Sequence, residues 1–198
     1  MGGESIASFV LMSLALLLAP GPTNTLLFVG GATNGLKRSL WLPLAELLGY
    51  LTAIHILALS IGPFLQQAPM AQLVLRLALS LYLAFLAVKL WGTPDEGAGE
   101  KAITPYRVFV VTLLNPKALI FAFVVLPPLA GGRWLAALPY LTGLSGLILA
   151  ASLCWITLGA ALRSGRMAAV TPQIVRRLGA AVLLIFAAVI GASAFRVL

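Results

Sequence analysis

The sequence Leu18-Ala19-Pro20-Gly21-Pro22-Thr23-Asn24 lies inside an apolar stretch that has no charged residue from Ser5 to Leu36. Two prolines and a glycine cannot continue a regular helix, and each proline removes an amide donor. In the hydrocarbon of a bilayer, irregular backbone is tolerated only where protein or a water-filled cavity satisfies its polar groups. The stretch therefore predicts a membrane helix that is broken near its middle.

The composition of the whole chain favours a membrane protein. Of its 198 residues, 61% are hydrophobic and 9% are charged, whereas an ordinary soluble domain has about 45–50% apolar and about 25% charged residues. Apolar stretches long enough to cross a bilayer predict one transmembrane domain over residues 1–198, with six spans. The spans are predicted at 5–34, 37–65, 68–91, 105–129, 134–162 and 172–197. The first is interpreted as a retained helix, because a cleaved signal needs a basic start.

A second interruption, Asn115-Pro116-Lys117, lies well inside the fourth predicted span. The two breaks occupy equivalent places, since Pro20 precedes Lys37, and Pro116 precedes Arg133, by the same number of residues. Each half of the chain has three spans, so the second half enters the membrane from the opposite side. We therefore predict an all-α integral membrane protein made of two inverted three-helix repeats, residues 1–91 and 105–198, joined by a polar loop at 92–104.

The net charge of +8 is interpreted as a marker of orientation, because cytoplasmic loops collect Lys and Arg. One side of the predicted topology carries only Arg133 and Arg196, together with Arg76 if its side chain snorkels outward. The other side carries Lys37, Arg38, Lys89, Lys101, Arg107, Arg163, Arg166, Arg176 and Arg177. The bias predicts that both termini lie outside the cytoplasm. At membrane exits these cations attract anionic lipid headgroups, and they form no basic stripe of the kind that binds nucleic acid.

The two breaks together predict a binding site for a small anionic or zwitterionic solute. The half-helix after each break offers free amide groups and a positive dipole end, which suit a carboxylate. The predicted substrate-binding residues are Pro20, Gly21, Pro22, Thr23, Asn24, Asn115, Pro116 and Lys117. In this hypothesis Lys117 holds the substrate carboxylate or neutralises Glu46 between transport steps.

Glu46 lies nine residues after Lys37, which corresponds to about 13 Å along a helix. A carboxyl group at that depth is costly and indicates a function. Three roles stay open: Glu46 carries a proton, binds a substrate ammonium group, or pairs with Lys117. His55 falls on the opposite side of the same helix, and we interpret it as a hydrogen-bonded packing residue.

The two break motifs resemble those of a known family. Leu18-Ala19-Pro20-Gly21-Pro22-Thr23-Asn24 is similar to the Pro-Gly-Pro signature that ends the first helix of the lysine-exporter (LysE/RhtB) family of amino-acid exporters. Leu113-Leu114-Asn115-Pro116-Lys117-Ala118 resembles the Asn-Pro-Lys signature of that family's fourth helix. The resemblance implies a six-helix carrier in the bacterial inner membrane that exports amino acids or similar small metabolites, driven by the proton gradient. Glu46 departs from the family, whose second helix is usually small and apolar there.

Other functions stay open. The same broken helices can form a passive channel or facilitator for small solutes, and a heavy-metal exporter is allowed by distant kinship, although soft ligands are scarce. The chain has one histidine, His55, and one cysteine, Cys154, so we expect no metal site, no cofactor and no enzymatic activity. Gly31-x-x-x-Gly35 permits close helix packing and allows a homodimer.

Overall fold

The computed structural model describes residues 6–92, 103–126, 134–163 and 172–194, and every regular element within these ranges is helical. The elements in chain order are α1 (Ile6–Leu18), α2 (Pro22–Asn34), α3 (Leu36–Ser39), α4 (Leu42–Ser60), α5 (Gly62–Gln67), α6 (Pro69–Gly92), α7 (Pro105–Leu113), α8 (Lys117–Ile120), a π-helical turn (Phe121–Val125), α9 (Trp134–Arg163) and α10 (Pro172–Ala194). Most of the predicted loop 92–104 falls outside the described residues. The same holds for four cations used to predict the orientation: Lys101, Arg133, Arg166 and Arg196.

Both helix breaks occur where the prolines predict them. The axes of α1 and α2 meet at 62°, and the axis of α7 meets that of the segment Lys117–Val125 at 55°. Pro22 begins α2, and Pro116 immediately precedes α8. A proline is tolerated at the start of a helix because the first amides have no intrahelical acceptor there. The same residues therefore end one half-helix and allow the next to begin.

The described helices provide up to five candidate membrane spans. Three are continuous, at Leu36–Ser60, Pro69–Lys89 and Leu135–Leu162, and two more arise if each bent pair is counted as one span. The apolar part of α10, Gly179–Ala194, is shorter than these. A multi-pass membrane protein follows from this count, while the sixth span and the inverted repeat remain predictions.

Gly62-Pro63 lies where the second candidate span ends, since that span is Leu36–Ser60. Both residues begin the short helix α5, where proline takes a first-turn position. The chain leaves helical geometry at Ala68, with φ −128° and ψ 84°, and Pro69 then begins α6. A proline can therefore mark the start of a new helix as well as the end of the preceding one.

Glycines allow the backbones of α2 and α9 to approach closely. A Cβ atom added at Gly31 would lie 2.1 Å from the carbonyl oxygen of Ile156, and one added at Gly159 would lie 1.9 Å from that of Phe28. The close packing expected from Gly31-x-x-x-Gly35 thus occurs within one chain. Gly35 has φ 77° and follows the last residue of α2. Gly31 is covered by α9 and is not free to serve a homodimer.

A similar close contact joins α4 to α7. A Cβ atom added at Gly49 would lie 2.8 Å from Cβ of Thr112 and 2.9 Å from the carbonyl oxygen of Phe109. The broken helix of each half therefore packs against the long helix that follows the break of the other half: α1 and α2 against α9, and α7 against α4.

The remaining pair, α6 and α10, pack along each other in antiparallel directions. Ser80 donates to the carbonyl oxygen of Ala187 at 2.7 Å, and the Arg177 guanidinium lies 5.8 Å from the Trp91 ring. Arg76 donates to the carbonyl and hydroxyl oxygens of Ser193, both at 3.2 Å. The last turn of α10 therefore offers Arg76 acceptors and a negative dipole end.

Candidate functional site

The first break leaves carbonyl groups at the end of α1 that need donors from elsewhere. Pro20 and Pro22 have no amide hydrogen, so the usual helical bonds cannot continue past Ala19. The Asn24 side chain folds back and donates from Nδ2 to the carbonyl oxygens of Leu17 and Ala19, each at 2.7 Å. Asn24 is 3% exposed. The predicted site residue Asn24 thus holds the two half-helices of the break together.

Lys117 of the second break reaches into the first break. Its Nζ donates to the carbonyl oxygen of Ala19 at 2.6 Å, although the two residues are 98 positions apart. Gly21 lies beside it, and a Cβ atom there would be in van der Waals contact with Nζ, at 3.4 Å. Lys117 is 4% exposed. A buried cation is expensive unless it is paired, and the carbonyl end of α1 supplies a negative dipole end to offset its charge.

The second break is organised by Asn115. Its Oδ1 accepts from the Lys117 amide at 3.0 Å, which caps the start of α8. Its Nδ2 donates to Thr23 Oγ1 at 3.1 Å and lies 3.4 Å from the Tyr50 hydroxyl. Thr23 is fully buried. Through Asn115 and Lys117 the two breaks form one polar cluster in the interior of the helices.

Glu46 belongs to the same buried region but does not contact Lys117 directly. Its Oε2 hydrogen bonds with the hydroxyl of Ser152 on α9, while Lys117 donates to Ala19. Within the described residues neither side chain makes an ion pair. The two groups nevertheless act on each other electrostatically. In this conformation Glu46 and Lys117 therefore do not form a direct ion pair.

The other predicted site residues have different surroundings. Pro20 packs against α10, where a Cβ atom added at Gly179 would lie 2.0 Å from its Cδ. Pro22 is exposed and Pro116 is half-buried. Gly21 precedes α2 in extended geometry, and the first turn of α2 has no side-chain cap.

Sequence reasoning missed three residues of the polar cluster. Thr112 Oγ1 lies 3.2 Å from Thr23 Oγ1, Ser152 contacts Glu46, and Trp155 Nε1 lies 3.4 Å from the carbonyl oxygen of Leu17. Thr112 could have been found, because it lies three residues before Asn115 and hence on the same helical face. Nothing in the local sequence singles out Ser152 or Trp155, since their partners lie more than one hundred residues away.

Histidine and cysteine take no part in the cluster. His55 Nδ1 lies 2.6 Å from the carbonyl oxygen of Leu51, one turn earlier on α4, which agrees with the packing role. Cys154 is exposed on α9. In the part of the chain that the structure describes, no three His, Cys, Asp or Glu side chains come together in a way that could hold a metal ion. The cluster offers amides, hydroxyls, one ammonium group and one carboxyl group for binding.

The family model described as LysE type translocator matches residues 14–194. This range includes both helix breaks, Glu46 and Lys117, and it confirms the resemblance drawn from the two motifs. No curated protein and no solved structure matches the chain.

Proposed function

We propose that this chain, which belongs to the LysE type translocator family, exports amino acids or similar small zwitterions across the bacterial inner membrane, with protons moving the other way. The observation that carries the proposal is the contact of Lys117 with the carbonyl end of α1 at the first break. It links the two broken helices through a buried cation that a substrate carboxylate can attract. Membership of a translocator family supports a transport activity, and the polar cluster offers the groups that can bind a zwitterion.

In this proposal the substrate carboxylate binds between Lys117 and the start of α2. An ammonium group has three donors, and the described contacts of Lys117 Nζ use one of them, at Ala19. The uncapped first turn of α2 adds the free amides of Thr23 and Asn24 and a positive dipole end. A carboxylate bound there would compete with the Ala19 carbonyl for Lys117. Binding would thus loosen the link between the two breaks.

Glu46 is the proposed proton carrier. It is the one acidic side chain in the described residues, and it is 2% exposed. Intramembrane carboxyl groups are rare and commonly take part in proton relays. Binding of the substrate ammonium group is the other role for Glu46, and the experiment below separates the two.

Two inverted repeats in six spans, with both termini outside, form part of the same proposal. The reciprocal packing supports it, because α1 and α9 run in the same direction: Phe9 packs against Tyr140, and the Leu17 carbonyl meets Trp155. In an inverted repeat of three spans each, the first and fifth spans cross the membrane in one sense. Paired interrupted helices near the midplane are the usual substrate site in such carriers.

The proposal is tested by counterflow of radiolabelled amino acids in proteoliposomes containing the purified protein. We expect Lys117→Met to reduce counterflow at least about tenfold, which corresponds to the loss of about 1.4 kcal/mol of substrate interaction. Lys37→Met is the matched control, since Lys37 is exposed on α3 and its substitution should leave counterflow unchanged. Full counterflow in Lys117→Met would contradict the proposed carboxylate site.

An imposed pH gradient distinguishes a coupled exporter from a passive facilitator. The coupled exporter accumulates substrate against its gradient, whereas a facilitator only equilibrates it. We expect Glu46→Gln to retain counterflow but to lose the response to the pH gradient. If Glu46→Gln instead abolishes all binding of amino acids while their uncharged-amine analogues still bind, Glu46 is the ammonium ligand.

A further inference from the structure

The hydroxyl oxygen of Ser152 makes two close contacts deep between α4 and α9. One is with the carbonyl oxygen of Ile148, one turn earlier on α9, at 2.6 Å. The other is with Glu46 Oε2 on α4. Ser152 is 1% exposed, so both contacts are shielded from the surroundings. Each pair of oxygen atoms is at hydrogen-bonding distance.

The number of hydrogens available bears on the state of the carboxyl group. A serine hydroxyl has one hydrogen, while a carbonyl oxygen has none. When the Ser152 hydrogen points to Ile148, the contact with Glu46 also holds a hydrogen only if the carboxyl group supplies it. We propose that Glu46 is protonated in this conformation and donates to Ser152, and that Ser152 is a positioning residue for the proton on Glu46.

Ser152 can also satisfy the ionised form of Glu46. When the proton leaves the carboxyl oxygen for water, the Ser152 hydrogen rotates from Ile148 to the carboxylate. The Ile148 carbonyl, in the interior of α9, keeps its helical bond from the Ser152 amide. The exchange breaks one O–H bond of the carboxyl and forms one O–H bond on water, and no buried group loses its last partner. One hydroxyl thus serves both protonation states.

The proton on Glu46 lies close to the polar cluster that joins the two breaks. Lys117 on α8 acts on Glu46 electrostatically, and Glu46 acts on Tyr50, one turn further along α4. The other titratable side chains described on the helices packed against α4 lie near helix ends or on the outer surface: Tyr106, Arg107, Tyr140 and Cys154. Lys117 is thus the cation that faces the carboxyl group. Movement of Lys117 toward a bound carboxylate would change the field at Glu46.

The meaning of this proton for transport rests on the proposed function, but the protonation state can be measured without transport. Infrared spectroscopy of the full-length protein in lipid nanodiscs near neutral pH detects the C=O stretch of a protonated carboxyl. Carboxyl groups in water are ionised at that pH, so the expected signal is one protonated carboxyl per chain. The wild-type spectrum minus that of Glu46→Gln isolates the contribution of Glu46. This comparison needs no serine variant.

The role of Ser152 is tested with Ser152→Ala, and Ser145→Ala is the matched control. Ser145 lies on the same helix and donates to the Leu141 carbonyl at 2.7 Å, which is the same type of bond without a carboxyl partner. We expect the Glu46 band to change its frequency in Ser152→Ala, to stay in place in Ser145→Ala, and to keep its position in Ser152→Thr, which retains the hydroxyl.

Absence of a protonated-carboxyl band from wild-type protein would overturn the proposal, because Glu46 would then be ionised. A band that is identical in Ser152→Ala and wild type would overturn the role of Ser152. Transport can fail independently: a protein that shows the band but exports no amino acid would contradict the proposed function and leave the protonation state established.

Discussion

The two helix breaks satisfy their backbone in different ways. At the first, the carbonyl groups that end α1 receive donors from Asn24, Lys117 and Trp155, and the last two come from distant parts of the chain. At the second, Asn115 caps the Lys117 amide two residues away. The carbonyl groups of the first break therefore depend in part on tertiary donors, whereas the first amide of α8 at the second break is capped locally.

The difference has a physical origin in the positions of the prolines. Pro20 and Pro22 remove two amides directly after α1, so its carbonyls lack local backbone donors. Pro116 follows an asparagine, which is among the best residues for capping a helix start. A break that needs outside donors can respond to a ligand that competes for them. The first break is accordingly the part of the site that we expect to change during transport.

The largest effect on stability is expected from Asn24→Leu at the first break. Leucine has a similar size but no donor, so the Leu17 and Ala19 carbonyls each lose a hydrogen bond. A buried group that loses its partner costs about 1–3 kcal/mol. The loss is measured as the free energy of unfolding in a denaturant titration in mixed micelles. Asn34→Leu is the control, because Asn34 is exposed at the end of α2. Equal effects of the two variants would show that the first break does not depend on Asn24.

A smaller loss is expected from Asn115→Leu at the second break. Removal of a helix cap costs about 0.5–2 kcal/mol, measured in the same titration. Asn115→Ser separates the local from the tertiary contribution, since serine can cap the Lys117 amide but is too short to hydrogen bond with Thr23 or Tyr50. We expect it to recover most of the lost stability. If Asn115→Ser recovers none of the lost stability, the second break relies on tertiary contacts as the first does, and the two breaks do not differ in this respect.

The smallest effect is expected from Trp155→Phe. The substitution keeps an aromatic ring but removes the indole donor to the Leu17 carbonyl, which is 3.4 Å away. A net hydrogen bond contributes about 0.5–1.5 kcal/mol, and such a long one belongs at the lower end. Thermal unfolding should show a small decrease in Tm. Trp41→Phe, at a side chain that is 69% exposed, should show none; a larger decrease there would mean that aromatic anchoring outweighs the bond at the break.

Much of the fold could be predicted from local sequence. The apolar stretches predicted helices, and Pro20 and Pro116 predicted where two of them break, because a proline acts on its own turn wherever that turn lies. The second span ends just before Gly62-Pro63, but the sequence did not reveal that these residues begin the short helix α5. The acceptors of Arg76 lie on α10, and no local pattern reveals them.

The candidate site was predictable in its members and less so in its contacts. Asn24, Thr23, Asn115 and Lys117 lie together as the break motifs indicated. Their hydrogen-bond partners were not predictable. Lys117 meets a backbone carbonyl, and Glu46 meets a serine on another helix. Such partners depend on how the helices pack. Helix packing depends in turn on the few glycines that another backbone approaches closely, and the sequence does not show which glycines these are.

By itself the sequence determined a membrane protein with two broken helices and an acidic group among apolar residues. These properties follow from the cost of charge in hydrocarbon and from the missing amide of proline, and both act locally. Only the tertiary structure decided which donors satisfy the first break and which side chain holds the Glu46 carboxyl. Ser152 lies 106 positions from Glu46, and Trp155 lies 138 positions from Leu17. Contacts at such separations exist only after the helices have packed.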